Sequence, residues 1–552
     1  MKIRCKPNIC PARRAVWPVF AGLGIARAVG VVPDMRAERP CRCYYPAVQN
    51  VLLPSAVHPC SRLLAVLGLW LLLGIAAHAG PQGLTPCRID GIKAMVQCGL
   101  VSRALDPGKP DGTKIEVHYV VVPALARRKW LDPVFFVAGG PGQSAIKVAP
   151  LLVAQMARLN NRRDLVFVDQ RGTGRSAPLE CEDQRHASLA EQLDIRLREA
   201  ALARCLAQLK KLPYGDLRFF TTVLASQDMD AVRLALGASR INVVGGSYGT
   251  RAALDYARQF PHAVRSTVID GVAPPDMVLP MSFSTDGQAV FDAMLSACEQ
   301  DAACVQNHPA LRANWARVLA DVPRLVSVDH PMTGRGEQIL ITRAMILGWV
   351  RLPLYAPASA SALPLAIDEA ARGRFASLLG LGMGLGGHRA GELALGMHFS
   401  VVCAEDFPRL ALATDRPGTD FGSDFAQLYA SACANWPRGE VPGAFYTMPA
   451  ASAPTLVLSG GLDPVTPARH GARTASSLGV KARHVVVANA GHGVMSLACM
   501  RDAVVRFIDA PDESAAAAVD TGCAAAMPRP RAFVALSPAS ASNAGTRPGV
   551  AP

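Results

Sequence analysis

Two rhythms of apolar residues divide this chain. One is strand-like: residues 114–125 alternate, and residues 133–138, 164–168, 241–244 and 267–271 form short, continuous apolar runs. Segments of helical period lie between and after them, at 183–211, 221–237 and 251–258. Short buried strands alternating with helices predict a mostly parallel sheet covered on both faces. From residue 273 to about 450 the alternation gives way to helical segments near 285–299, 309–321, 341–353 and 363–380. Apolar strands resume at 454–460 and 482–488, with helices expected at 468–478 and 496–508. The expected layout is thus a first core part (80–272), a helical cap insertion (273–450) and a second core part (451–523). An Ala, Pro and Ser-rich tail (524–552) is expected to be disordered.

Composition changes the picture at the amino terminus. The chain has 552 residues and is 50% hydrophobic, enough for a large core. Its formal charge of +14 suggests a nucleic-acid partner, but residues 1–62 carry ten Lys/Arg against Asp34 and Glu38. Beyond them no basic run interleaved with aromatics remains, so no nucleic-acid footprint is expected. After Arg62, an apolar run to Ala77 ends in Ala77-His78-Ala79. This pattern predicts a secretory signal peptide over about 62–79, cleaved after Ala79, with an uncleaved membrane anchor as the competing reading. The preceding residues read as an over-extended frame whose true start lies near Val51 or Val57. Ten cysteines follow the leader: Cys87, Cys98, Cys181, Cys205, Cys298, Cys304, Cys403, Cys433, Cys499 and Cys523. An even number in an exported chain reads as disulfides. Sequence does not fix their connectivity, and pairing of neighbours in order is the simplest expectation because short loops close most easily. An exported protein, periplasmic or secreted, is the localisation expected. No metal site and no phosphate or dinucleotide loop is present, so no cofactor is expected.

The candidate chemistry sits at the ends of the predicted strands. Ile241–Val244 runs into Gly245-Gly246-Ser247-Tyr248-Gly249, and a helical pattern follows at once. This is the context of the nucleophile elbow of an α/β-hydrolase, the fold class expected here. A serine hydroxyl needs a base, and the base needs an orienting carboxylate. Asp463 follows the strand at 454–460, and His492 follows the strand at 482–488, each beside glycine. His484 and His470 are the rival bases and Asp270 the rival acid. Gly139-Gly140-Pro141-Gly142 ends the strand at 133–138, where backbone must approach a substrate carbonyl. The amides of Gly140 and Tyr248 are therefore the expected oxyanion hole. Asp169 and Arg171 read as an ion pair bracing the next turn.

In this order, Gly139-Gly140-Pro141-Gly142, the run from Asp169 to Ser176 (Asp-Gln-Arg-Gly-Thr-Gly-Arg-Ser), and Gly245 to Thr250 resemble the proline iminopeptidases and their secreted relatives, the tripeptidyl aminopeptidases. The closing Gly460-Gly461-Leu462-Asp463-Pro464-Val465-Thr466-Pro467 and Gly491-His492-Gly493 are similar to the second group in particular. The resemblance spans about residues 95–510. Ala138 departs from it, standing where the iminopeptidases usually carry histidine. It implies a serine exopeptidase acting on peptides with a free amino terminus. Such an enzyme needs carboxylates for the substrate ammonium, and Glu405 and Asp406 beside Cys403 are the expected pair. A carboxylesterase or lipase on the same framework, and a non-catalytic binding protein, are the alternatives.

Overall fold

The computed structural model describes residues 83–183, 186–384 and 393–534, so the expected signal peptide and the last part of the tail lie outside the described residues. Nine strands form one sheet in the order β1-β2-β3-β5-β4-β6-β7-β10-β11. They are β1 (Thr85–Cys87), β2 (Val96–Ala104), β3 (Lys114–Val122), β4 (Val134–Val137), β5 (Leu165–Val168), β6 (Ile241–Gly246), β7 (Val264–Asp270), β10 (Thr455–Gly460) and β11 (Ala482–Val487). From β5 to β11 every neighbouring pair is parallel, whereas β1, β2 and β3 join antiparallel.

Alternation of side chains across the pleat builds the core on both faces. Phe136, Phe167, Val244 and Leu456 point to one side, where Met500, Val504 and Phe507 of the helix Ala498–Asp509 cover them. The Phe136 and Phe167 rings stack at 4.9 Å. Phe135, Val166, Val243 and Val457 point to the other side, under Met229 and Val232 of the helix Thr222–Ala235 and Tyr256 of the helix Tyr248–Gln259.

Between β7 and β10 the chain is chiefly helical, but it also contains an antiparallel pair, β8 (Arg324–Asp329) and β9 (Gly336–Ile341), that the helical reading missed. The segment read as one helix over 363–380 is two, Leu363–Ala371 and Ala376–Gly384, broken where Gly373 takes φ +84°. Its backbone there favours glycine and cannot continue a right-handed helix. The five disulfides join neighbours in order: Cys87–Cys98, Cys181–Cys205, Cys298–Cys304, Cys403–Cys433 and Cys499–Cys523. The first residues of the expected disordered tail are placed instead against the body. Arg529 donates to the Ala293 carbonyl at 3.1 Å, and the Phe533 amide donates to that of Ser361 at 2.7 Å. Among the described residues no helix is long and apolar enough to cross a membrane.

Candidate active site

β6 is buried up to Gly245 and delivers Ser247 to the N-cap of the following helix. Ser247 has φ 56° and ψ −128°, one of two non-glycine residues in the described chain with positive φ. Such a backbone costs on the order of 1–3 kcal/mol and needs support from its surroundings. That support is local: the Ser247 amide donates to the Asp270 carbonyl at 2.9 Å, and the Ser247 carbonyl accepts from Thr250 Oγ1 at 2.6 Å. Steric room explains the outer glycines. A Cβ on Gly245 would lie 2.4 Å from the Gly249 carbonyl oxygen, and one on Gly249 would lie 2.2 Å from that of Val137.

Asp463 and His492 come together from the ends of β10 and β11. His492 Nδ1 lies 2.8 Å from Asp463 Oδ2, and Thr466 Oγ1 reaches both, at 2.7 Å from that oxygen and 3.0 Å from Nδ1. The other Asp463 oxygen accepts the amides of Val465 at 2.9 Å and Thr466 at 2.8 Å. Burial works to raise the Asp463 carboxyl, but the His492 charge and these hydrogen bonds outweigh it and hold it below its ordinary value. Burial likewise works to lower His492, but the charges of Asp463 and Asp270 carry it above its ordinary 6.5. The pair is thus a carboxylate bound to a histidine of raised basicity.

The rival acid has another task. Asp270 accepts the amides of Val494 at 3.1 Å and Met495 at 2.7 Å, so both its oxygens hold the histidine loop. Burial raises its carboxyl to about 6, against those two amides. The rival bases have other neighbours. His484 Nε2 lies 3.0 Å from Ser459 Oγ, and His470 is buried on the helix Ala468–Leu478. Gly271 keeps space for the base, since a Cβ there would lie 3.2 Å from His492 Cε1.

The loop after β4 lies against the nucleophile: a Cβ on Gly139 would stand 3.1 Å from Ser247 Cβ. Gly140 has φ +109° and Gly142 φ +105°, conformations that side chains rarely allow. Tyr248 opens the next helix, so its amide belongs to the first turn, outside the intrahelical ladder. Gly139, next to Gly140 in that loop, and Tyr248 thus adjoin Ser247. His398 Nδ1 lies 3.0 Å from the Pro141 carbonyl and its Nε2 lies 2.7 Å from the Tyr429 hydroxyl. Burial lowers His398 to about 4, so it is neutral, donating from Nδ1 to the carbonyl and accepting the phenol at Nε2.

Two expectations are corrected. Glu405 and Asp406 are both 1% exposed and lie beneath the elbow helix rather than facing a substrate. Arg251 Nη1 and Nη2 donate to the two Asp406 oxygens at 3.0 and 3.1 Å. Glu405 accepts the Thr222 amide at 2.7 Å and its hydroxyl at 2.9 Å. A cation on the buried face of the elbow helix has to be neutralised, and this pair does it. Asp169 and Arg171 are not partners either. Asp169 accepts from Ser144 Oγ at 2.6 Å, while Arg171 pairs with Asp228 at 2.7 and 2.8 Å.

Three contributors escaped the sequence reading. Thr466 stands in the quoted acid loop and could have been singled out there. Tyr355, whose carbonyl accepts the His492 amide at 2.8 Å and whose ring meets the imidazole edge-on at 5.3 Å, has no local signal. The same holds for His398.

Residues 132–306 match the family model of the alpha/beta hydrolase fold, and residues 418–523 match that of TAP-like proteins. The chain is 26% identical over 442 residues to serine protease Hip1 of Mycobacterium tuberculosis, covering 72% of this chain and 83% of that protein. It is 30% identical over 215 residues to a tripeptidyl aminopeptidase of Streptomyces coelicolor, covering 36% of this chain and 40% of the relative. Among solved structures, a proline iminopeptidase of Mycobacterium smegmatis aligns over 76% of this chain and 100% of its own, with 15% identity and a TM-score of 0.35. The fold is thus the α/β-hydrolase fold, the carboxy-terminal part is similar to TAP-like proteins, and the relatives support a serine peptidase.

Proposed function

We propose that this protein is an exported serine peptidase that releases residues or short peptides from the free amino terminus of its substrates. His492 takes the proton from Ser247 as the hydroxyl attacks the scissile carbonyl. It returns that proton to the leaving amine, and water then resolves the acyl-enzyme. Asp463 holds the imidazole with its proton on Nδ1, and Thr466 holds the carboxylate. The amides of Gly140 and Tyr248 receive the developing oxyanion. The observation that carries this reading is the 2.8 Å pairing of His492 with Asp463 on adjacent strand ends, with Ser247 on a strained turn of the same sheet edge. Relatives that are a serine protease and a tripeptidyl aminopeptidase support peptides as the substrate class. Five disulfides support an oxidising compartment.

The decisive test is hydrolysis of mono-, di- and tripeptidyl fluorogenic amides with free and acetylated amino termini, with Ser247→Ala as the blank. Release from free-amine peptides alone is expected. The engagement of Glu405 and Asp406 by Arg251 and Thr222 favours keeping a second reading, a carboxylesterase. Short acyl esters cleaved in preference to every amide would replace the first reading with it.

A further inference from the structure

Two neighbouring cavities, of about 410 and 430 Å³, open between the cap insertion and the segment 181–208. They share a wall made of Gln192, Arg198, Phe425 and Leu428. Ser247 and His492 line neither, but each cavity reaches the site through one intermediary. Arg351 lines the first, and its Nη2 lies 3.5 Å from the hydroxyl of Tyr355, the residue packed on His492. His398 and Tyr429 line the second, and His398 holds the oxyanion loop through the Pro141 carbonyl.

The two arginines are unusual in their company. The guanidinium of Arg351 lies over the adjacent rings of Phe283 and Phe425, each centroid 4.6 Å away. Ring contacts satisfy none of its five N–H donors. Nε is buried without a hydrogen-bond partner, and the Tyr355 contact is long. Arg198, on the helix Ile195–Leu209, stands exposed at the shared wall. Among the described residues no carboxylate lies within 4 Å of either arginine. Three carboxylates line the cavities: Glu191 folds back onto Ser188 at 2.9 Å, while Glu182 and Asp424 are exposed. The fields of both cations meet at Tyr429: burial raises its hydroxyl, and the charges of Arg351 and Arg198 pull it back. A cavity floored by aromatic rings and walled by two guanidinium groups that have no carboxylate within 4 Å among the described residues is complementary to a planar anion.

We propose that Arg198 and Arg351 form a carboxylate-binding subsite of the cap, which takes either an acidic side chain or the terminal carboxylate of the substrate peptide. The proposal rests on the peptidase reading, and its experiment separates the two. Tripeptidyl aminomethylcoumarins with Glu or Gln at each position in turn test the side-chain source. Matched short peptides ending in a free carboxylate or a carboxamide test the terminal source. The expected result is a kcat/KM ratio of carboxylate to neutral partner of about tenfold or more in one series, the scale of a charge-assisted hydrogen bond. In Arg198→Gln and Arg351→Gln that ratio falls towards one, and Arg351→Lys retains part of it. Because each ratio is measured within one preparation, loss of folded protein cancels. Wild-type ratios at or below one in both series, or a ratio that survives both glutamine variants, overturns the subsite. If no peptide is cleaved the peptidase reading fails instead. The same ratio is then taken between 4-nitrophenyl hemiglutarate and 4-nitrophenyl valerate, with Ser247→Ala subtracting spontaneous hydrolysis.

Discussion

Replacing Asp463 with asparagine isolates the charge of the acid from its shape. The carboxylate accepts four contacts: the amides of Val465 and Thr466 at 2.9 and 2.8 Å on one oxygen, Thr466 Oγ1 and His492 Nδ1 at 2.7 and 2.8 Å on the other. The two amides will fix the asparagine carbonyl, because only an acceptor can meet them. Its NH2 group then faces His492. The imidazole must answer as an acceptor at Nδ1, which moves its proton to Nε2 and removes the lone pair that Ser247 needs. In serine proteases the equivalent change costs kcat on the order of ten-thousandfold. At 1.36 kcal/mol per tenfold, that is about 5.5 kcal/mol of transition-state stabilisation. The assay is kcat on an activated ester, which needs little leaving-group protonation, alongside a fluorogenic peptide. Urea unfolding of the same samples separates catalysis from folding. A fall in kcat smaller than about tenfold on both substrates, in a folded variant, would refute the assignment of Asp463 as the orienting acid.

Other consequences can be measured with the same preparations. His492 is the proposed neutral base, and Asp463 holds it above its ordinary 6.5. Hence kcat/KM should rise as pH climbs through that raised value, and the midpoint should move down in Asp463→Asn. Arg251→Met strips the cation from two buried carboxylates and should cost about 3–5 kcal/mol in urea unfolding. Glu405→Gln should cost far less, since burial, offset by Arg251, raises that carboxyl to about 7. A raised carboxyl contributes stability in full below its ordinary 4.5 and loses it as pH rises through about 7, so this variant should also flatten the pH dependence of stability over that window. Removing Cys403–Cys433, which closes a separation of 30 residues, should cost about 3–4 kcal/mol of stability, read from thermal unfolding under non-reducing conditions.

The central strands and the candidate triad were legible because each is written in a contiguous stretch. A continuous apolar run makes the strand, and the glycines, aspartate or histidine directly after it make the loop. The cap was not, because its roles depend on partners far apart in sequence. Arg251 and Asp406 are separated by 155 residues, and nothing near Cys403-Ala404-Glu405-Asp406 says that a cation lies buried opposite. The acidic pair therefore looked available for a substrate when it was already engaged. β2 was missed for a local reason, since Cys98 and Gly99 interrupt its alternation, and Gly99 is needed there because a Cβ would lie 2.3 Å from the Tyr119 ring. β8 and β9 pair at the surface with Leu325 and Leu340 exposed, so burial wrote no clean period into them.

Asp270 joins the two halves of the hydrolase framework with a single residue. Its carbonyl takes the Ser247 amide, and its side chain takes the amides of Val494 and Met495. One link between the Ser247 turn and the His492 loop therefore runs across β7, without passing through the long insertion between the halves. Such an arrangement leaves the insertion free to be exchanged, as a module entering after β7 and leaving before β10. Conditions travel with the exchange: a replacement must still offer a carbonyl to the His492 amide, as Tyr355 does at 2.8 Å, and carboxylates to the buried Arg251, as Asp406 does at 3.0 and 3.1 Å. Grafts between relatives would then be expected to transfer substrate choice while leaving the hydrolytic step in place.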